Sequence, residues 1–293
     1  MRHPVSLARK MKVRIPKFDR FAVRPGWEGS GICACLALIV FGLIAASAYG
    51  AGSDEIQVYT DDINDPGQIG LEVHANFIIE GNPEPAYQGD LPSERLLRVT
   101  PEFSYGLTKT LEAGLYLPMA VDKDGHPYLD GAKIRLKFIP SLESNALFAG
   151  VNWELGRVAK RLEESRWNME LRPILGFRRA PWLISFNPIL GWALSGGGSN
   201  GYPTLEPALK VQYGIGYGMG IGFEHYADLG RIDHLQPLKE QGHITYAAID
   251  VQKGSLDLNL CVGRGLTRSV EDWIIKAIFS VPFPRGGSSF PGP

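Results

Sequence analysis

At Lys133, Arg135 and Lys137 three cations alternate with Ile134, Leu136 and Phe138. Residues at every second position share one face of an extended strand, so this spacing predicts a ladder of positive charge backed by an apolar face. A positive wall facing water can discriminate between small ions, and its cations can stack on aromatic rings. Other runs carry charge at the same parity. Arg98, Arg172, Arg178, Lys210 and Lys276 stand against Glu72, Glu102, Glu112, Glu154, Glu170, Glu206, Glu224, Asp250 and Asp257, so the face as a whole is nearly balanced. Two interpretations stay open: a polar interior of paired charges, or a water-filled pore whose local charge sets selectivity. The residues expected to line such a pore are Lys133, Arg135, Lys137, Arg98, Arg172, Glu72, Glu102 and Glu154.

Catalysis is harder to assemble. A serine nucleophile needs a histidine base and an orienting amide or acid. His225 and His243 fall at strand ends, His234 lies in a charged loop, and Ser185 and Asn187 share a face with no histidine beside them in sequence. Asp233-His234 offers too few ligands for a metal. The glycines Gly214, Gly216, Gly218, Gly220 and Gly222 alternate with apolar residues instead of leading into a helix, which excludes a phosphate-binding loop and suggests a crowded inner wall or a sharp bend. No catalytic residue, metal site or cofactor is therefore expected. A lipid-modifying enzyme and a plugged structural or interaction barrel are the rival readings.

The elements that must carry these residues read as strands. Beyond Gly67 the dominant pattern is alternation, as in Leu97 to Tyr105, Trp167 to Phe177, Leu256 to Val262 and Trp273 to Phe283. Twelve such runs fit between residues 67 and 283. Four contain a proline, Pro101, Pro173, Pro188 and Pro207, which suggests a repeated bulge or kink. Short turns, such as those at 106–109, 141–144 and 214–215, alternate with longer polar loops, such as 81–93, 157–165 and 227–241. Sorting of loops by parity, with strands of about ten residues, predicts an all-β antiparallel transmembrane barrel of about twelve strands.

The composition agrees. The chain has 293 residues, 44% of them apolar, with 35 Gly and only 3 Cys, which excludes a disordered chain and a disulfide scaffold. A net charge of −1 excludes a strongly basic nucleic-acid binder. That value hides a split, because residues 1–48 hold eight of the 30 cations and two of the 31 anions, leaving 22 and 29 in the rest. A basic stretch, then the apolar run from Ile32 to Ala46, then Ala46-Ser47-Ala48, has the layout of a cleaved secretory signal peptide. A membrane anchor is the competing reading, since the run from Gly31 to Ala48 approaches the roughly 20 residues that span a bilayer. The expected organisation is a signal peptide at 1–48, a periplasmic segment at 49–66, the barrel at 67–283 and a tail at 284–293. Cys33 and Cys35 would leave with the signal, and Cys261 would remain as a packing residue.

Tyr59-Thr60-Asp61-Asp62-Ile63-Asn64-Asp65-Pro66-Gly67-Gln68, Leu71-Glu72-Val73-His74-Ala75-Asn76, Pro101-Glu102-Phe103-Ser104-Tyr105-Gly106-Leu107 and Leu111-Glu112-Ala113-Gly114-Leu115 together resemble bacterial outer-membrane proteins of the phenol meta-pathway (MetA) transporter family. The resemblance implies an outer-membrane barrel in a Gram-negative bacterium and a transporter linked to aromatic compounds, and the cation ladder of Lys133, Arg135 and Lys137 adds small anionic solutes to the expected cargo of such a channel or transporter. Its partners would be outer-membrane lipid, the barrel-insertion machinery and the solute. Amino-terminal sequencing of protein from membrane fractions is expected to begin near Tyr49 in the outer membrane, whereas an intact Met1 in the inner membrane would overturn the export reading.

Overall fold

The computed structural model describes residues 56–142, 144, 146–196 and 201–283. The expected signal peptide with Cys33 and Cys35, residues 49–55 and the tail 284–293 lie outside the described residues. In chain order the strand segments are β1 (Ile69–Glu80), β2 (Leu97–Gly106), β3 (Leu111–Tyr116), β4 (Met119–Val121), β5 (Pro127–Leu129), β6 (Gly131–Phe138), β7 (Leu147–Val158) and β8 (Trp167–Arg179). They continue as β9 (Trp182–Ala193), β10 (Thr204–Gly216), β11 (Met219–Asp228), β12 (Gly230–Arg231), β13 (His234–Leu235), β14 (Gly242–Lys253), β15 (Leu256–Gly265) and β16 (Trp273–Pro282).

These segments make twelve wall strands. β3 and β4 are two halves of one strand interrupted at Leu117-Pro118, β5 and β6 form the next, and β12–β13 is a small hairpin above β10. Every neighbouring pair is antiparallel. β1 pairs with both β2 and β16, so the sheet closes on itself, the condition for a sheet to lie in lipid, and in the wall only the short β5 at the long-loop rim keeps an unpaired edge among the described residues. Alternation then sorts the side chains. Ile134, Leu136, Leu175, Phe186, Ile249, Val262, Ile275 and Phe279 stand exposed on the outside, while Arg135, Arg172, Lys210, Glu224 and Lys276 are buried inside. Among the described strand residues, outward Lys and Arg occur only near the rims: Arg157 and Arg264 at the long-loop end, Arg179 and Lys253 at the short-turn end.

Two local expectations change. The turn expected at Gly214-Ile215 lies at Gly216-Tyr217-Gly218, with φ of 95°, 56° and 73°, and Tyr217 is 98% exposed at its tip. The alternating glycines thus divide: Gly216 and Gly218 make the turn, whereas a Cβ at Gly220 or Gly222 would collide with Gln212 or the carbonyl oxygen of Val211. Nor do the prolines insert bulges. Pro188 pairs with Pro207 in an unbroken register, and the β8–β9 pairing lapses between Leu171↔Leu190 and Leu175↔Phe186 yet resumes without a shift. The prolines remove ladder bonds but leave the alternation intact, because an added residue would turn the following side chains to the wrong face.

Placing Arg at Ile134, 51% exposed and near the middle of its wall strand, should destabilise the refolded barrel by about 2–4 kcal/mol, against about 0–1 for Arg at Leu256 beside a turn. Urea unfolding in lipid vesicles measures both, and equal costs would contradict this placement of the wall in the bilayer.

Candidate functional site

The lumen holds more than the inward side chains of the strands. Residues 56–66, the described part of the segment expected in the periplasm, run inside the barrel. Ile56 packs with Ile78, Leu96, Val158 and Ile244 in the long-loop half. The chain then descends to Asn64, whose backbone N–H donates to Glu112 Oε2 at 2.7 Å, and leaves at the short-turn rim, where Gly67 N–H donates to Gly106 O at 2.7 Å. Between these ends the segment is tied to the wall chiefly by side chains. Arg172 Nη1 donates to Gln57 O at 2.8 Å, Lys137 Nζ to Asp62 O at 2.7 Å, and Arg178 Nε to Asp61 Oδ1 at 2.9 Å.

Tyr59 is at the centre. Its N–H donates to Asn187 Oδ1 at 2.7 Å, and its carbonyl accepts from Ser185 Oγ at 2.5 Å and Asn187 Nδ2 at 3.2 Å. Three cations surround the ring: Arg172 at 4.4 Å from the centroid, Lys137 at 4.9 Å and Arg135 at 5.8 Å. The phenol oxygen meets the Tyr116 hydroxyl and donates to Glu154 Oε1 at 3.3 Å. The negative face of an aromatic ring inside a cationic cage is favourable, and more so where water is excluded.

The sequence-derived candidates separate around this centre. Arg135 donates through Nε to Glu102 Oε1 at 2.6 Å and through Nη2 to Glu112 Oε1 at 2.7 Å, so the middle rung of the ladder is neutralised by two buried carboxylates. Glu102 also lies 3.7 Å from His74 Nε2, which is 3.2 Å from Glu72 Oε1; Glu72 in turn accepts from Gln57 Nε2 at 2.6 Å and from Ser280. Glu154 accepts from Asn152 Nδ2 at 2.7 Å. Lys133 stands over Gly156, where a Cβ would press on its side chain. Arg98 is buried apart from the Tyr59 cage, on a cavity of about 60 Å³ shared with Ile56, Gln57, Arg172, Glu206 and Tyr246. On the opposite wall Lys210, Lys276, Glu224 and Asp250 form a second cluster, with Lys210 Nζ 2.7 Å from Asp250 and Lys276 against Glu224.

Sequence reasoning missed Tyr59, Gln57, Tyr116 and His74 as parts of the site. The acidic pair Asp61-Asp62 meets Arg178 and Lys137 in the structure, but the nearly balanced charge of the inner face gave no signal for it in the sequence. Among the described residues, two clusters bring metal-ligand types together. In Glu72, His74 and Glu102 the ligand atoms lie within 4.8 Å of one another, but Arg135, Gln57 and Ser280 already engage the carboxylates. In the exposed loop with Asp122, Asp124 and His126, the His126 backbone N–H leads a set of donors that holds the Asp122 carboxyl down to about 2. The groups an acyl-transfer enzyme would need are otherwise engaged. Ser185 and Asn187 hold Tyr59, whereas His225 and His243 lie on the outer face, linked to each other at 3.3 Å and to Thr245 and Gln241.

A closed antiparallel barrel of twelve strands, apolar outside and ionised within, is the fold of the outer-membrane β-barrel proteins. The chain is similar to an outer membrane channel from Pseudomonas putida F1, with a TM-score of 0.54 and 14% identity over 78% of this chain and 100% of the other. The KdgM porin matches with a TM-score of 0.49 and 8% identity over 73% of this chain and 99% of that one. LpxR from Salmonella typhimurium matches at 0.40 and 11% identity over 73% and 100%. No protein-family model matches the sequence, and no curated protein matches it.

Removing one partner of a buried charge cluster strands the others without solvation. Arg135→Met should therefore cost about 3–5 kcal/mol in urea unfolding of the refolded barrel, and the triple change Arg135→Met, Glu102→Gln, Glu112→Gln should recover most of the loss. A single variant as stable as the wild type would show that the cluster is not a dry ion pair.

Proposed function

We propose that this protein is an outer-membrane channel for small solutes, exported by a signal peptide at 1–48, with residues 56–66 as a constriction inside the lumen and small aromatic or anionic compounds as cargo. The observation that carries this reading is the Tyr59 cage. A phenol ring is held by Arg172, Lys137 and Arg135, with its oxygen on Tyr116 and Glu154. When the segment is displaced, the same cage offers a solute what it offers Tyr59: cations for a ring face or a carboxylate, and polar groups for a hydroxyl. The motif resemblance to the phenol meta-pathway transporters supports the same cargo class.

The segment is suited to displacement. It forms no strand with the wall, and the bonds from Lys137, Arg172 and Arg178 come from charged side chains able to bind a passing anionic solute in its place. Ion selectivity then falls to Lys137 and Arg178, which face the segment, more than to Arg135, which two carboxylates neutralise, or Arg172, which Glu170 pairs through two bonds. A structural barrel, the second reading, draws on that same neutralisation. Insertion machinery and lipid are the partners either reading needs, and neither needs a catalytic residue.

Reconstituted wild-type barrel should show low conductance. Tyr59→Ala should raise it several-fold and speed benzoate entry in liposome swelling more than entry of a neutral sugar of similar size. Lys137→Gln added to Tyr59→Ala should reduce the benzoate advantage. A barrel that passes nothing with either change would favour the structural reading.

A further inference from the structure

At the long-loop rim the wall parts. β6 pairs with β7 up to Gly131↔Val158, but β5, its continuation, pairs with β4 alone. Gly131, at φ 151°, makes the break, and a Cβ there would collide with the carbonyl oxygen of Arg157. The resulting groove, about 520 Å³, lies between 129–131 and the turn after β7, with Gly89 also lining it. Ala159 N–H donates to Asp130 O at 2.5 Å across its floor.

Four cations line this groove: Arg157, Lys160, Arg161 and Arg166. Arg161 is held in place, 2.6 Å from the buried Asp130 carboxylate and 4.7 Å above the Tyr128 ring. Arg157, Lys160 and Arg166 are exposed and take part in no ion pair among the described residues, and the acids of the same loop, Glu163 and Glu164, do not line the groove. Asp130 balances one of the four cations, and the other three repel one another, a repulsion that an anion bound among them would relieve.

The position selects which anion. Arg157 points outward from β7, paired across the sheet with the exposed Trp167. Leu129, 64% exposed, flanks the groove, and below it the outer face is Leu155, Ile134, Trp153 and Leu136. Cations at an aromatic rim above an apolar wall match a lipid whose phosphates sit at the interface and whose acyl chains run along the strands.

We propose that this groove binds the phosphate groups of an outer-leaflet lipid, a diphosphorylated acylated saccharide of the lipid A type. Arg157, Lys160 and Arg166 would contact the phosphates, with Arg161 as the positioned fourth donor. The site rests on the long loops facing outward and is independent of what passes through the lumen.

Native mass spectrometry of the full barrel in detergent, with lipid A as probe, tests it. The wild type should retain lipid A, and the variant Arg157→Gln, Lys160→Gln, Arg166→Gln should bind it about tenfold more weakly, as expected for three partly exposed charge pairs. Dephosphorylated lipid A should bind as weakly to the wild type, and pyrophosphate should not compete. Lys160→Gln alone, in a loop outside the sheet, gives the same test with a smaller loss should the triple variant not fold. Equal retention by variant and wild type, or of both lipid forms, would overturn the site. Pyrophosphate binding as tight as lipid A would make it a site for a soluble anion and overturn the lipid assignment.

Discussion

Lipid cannot solvate a charge, and this constraint shapes the rest of the molecule. Away from the rims, the strands keep every ionised side chain on the inner face. Once there, the charges face a second demand, because a buried ion needs a partner or water. The wall meets it partly by itself, through Arg135 with Glu102 and Glu112, and through Lys210 and Lys276 with Glu224 and Asp250. Glu170 likewise pairs Arg172, and residues 56–66 add a carbonyl oxygen each for Arg172 and Lys137 and carboxylates for Arg178.

The same geometry links stability to passage. Twelve strands enclose more space than their own side chains fill, and the segment occupies the middle of that space. Its hold comes from side chains of the wall: charge-assisted bonds from Arg172, Lys137 and Arg178, and the neutral clamp of Asn187 and Ser185 on Tyr59. A segment that belonged permanently to the wall would be expected to pair backbone to backbone, as β1 does from Ile69 onward. The three outward prolines Pro173, Pro188 and Pro207 lie in adjacent strands beside Arg172 and Asn187, so the ladder has fewer bonds where the segment is gripped.

Class of fold and orientation of side chains were legible in the sequence because both follow from local rules. A period of two needs no knowledge of distant residues, and apolar residues at Ile134, Leu136 and Phe138 leave only one face for Lys133, Arg135 and Lys137. The parity of loop lengths, the strand count and the inward set from Glu72 to Lys276 come from the same alternation. Even the opposing possibilities for the cation ladder were visible, since Glu102 and Glu112 share its face.

Partnership was decided by tertiary structure alone. Closure brings β1 against β16 and sets residues a hundred positions apart across one lumen, so that Tyr59 meets Arg172, Asn187 and Glu154, contacts that no periodicity encodes. Residues 56–66 show no alternation and by local rules read as a segment outside the barrel; only the finished wall, with Arg172, Lys137 and Arg178 turned inward around one lumen, gives them a place inside. The rim groove has the same origin, because a glycine at Gly131 and scattered cations in one loop become a site only when β5 parts from β7. Alternation along a strand is local and survives in one dimension, whereas the pairing of charges across a closed barrel depends on distances that exist only once the barrel has formed.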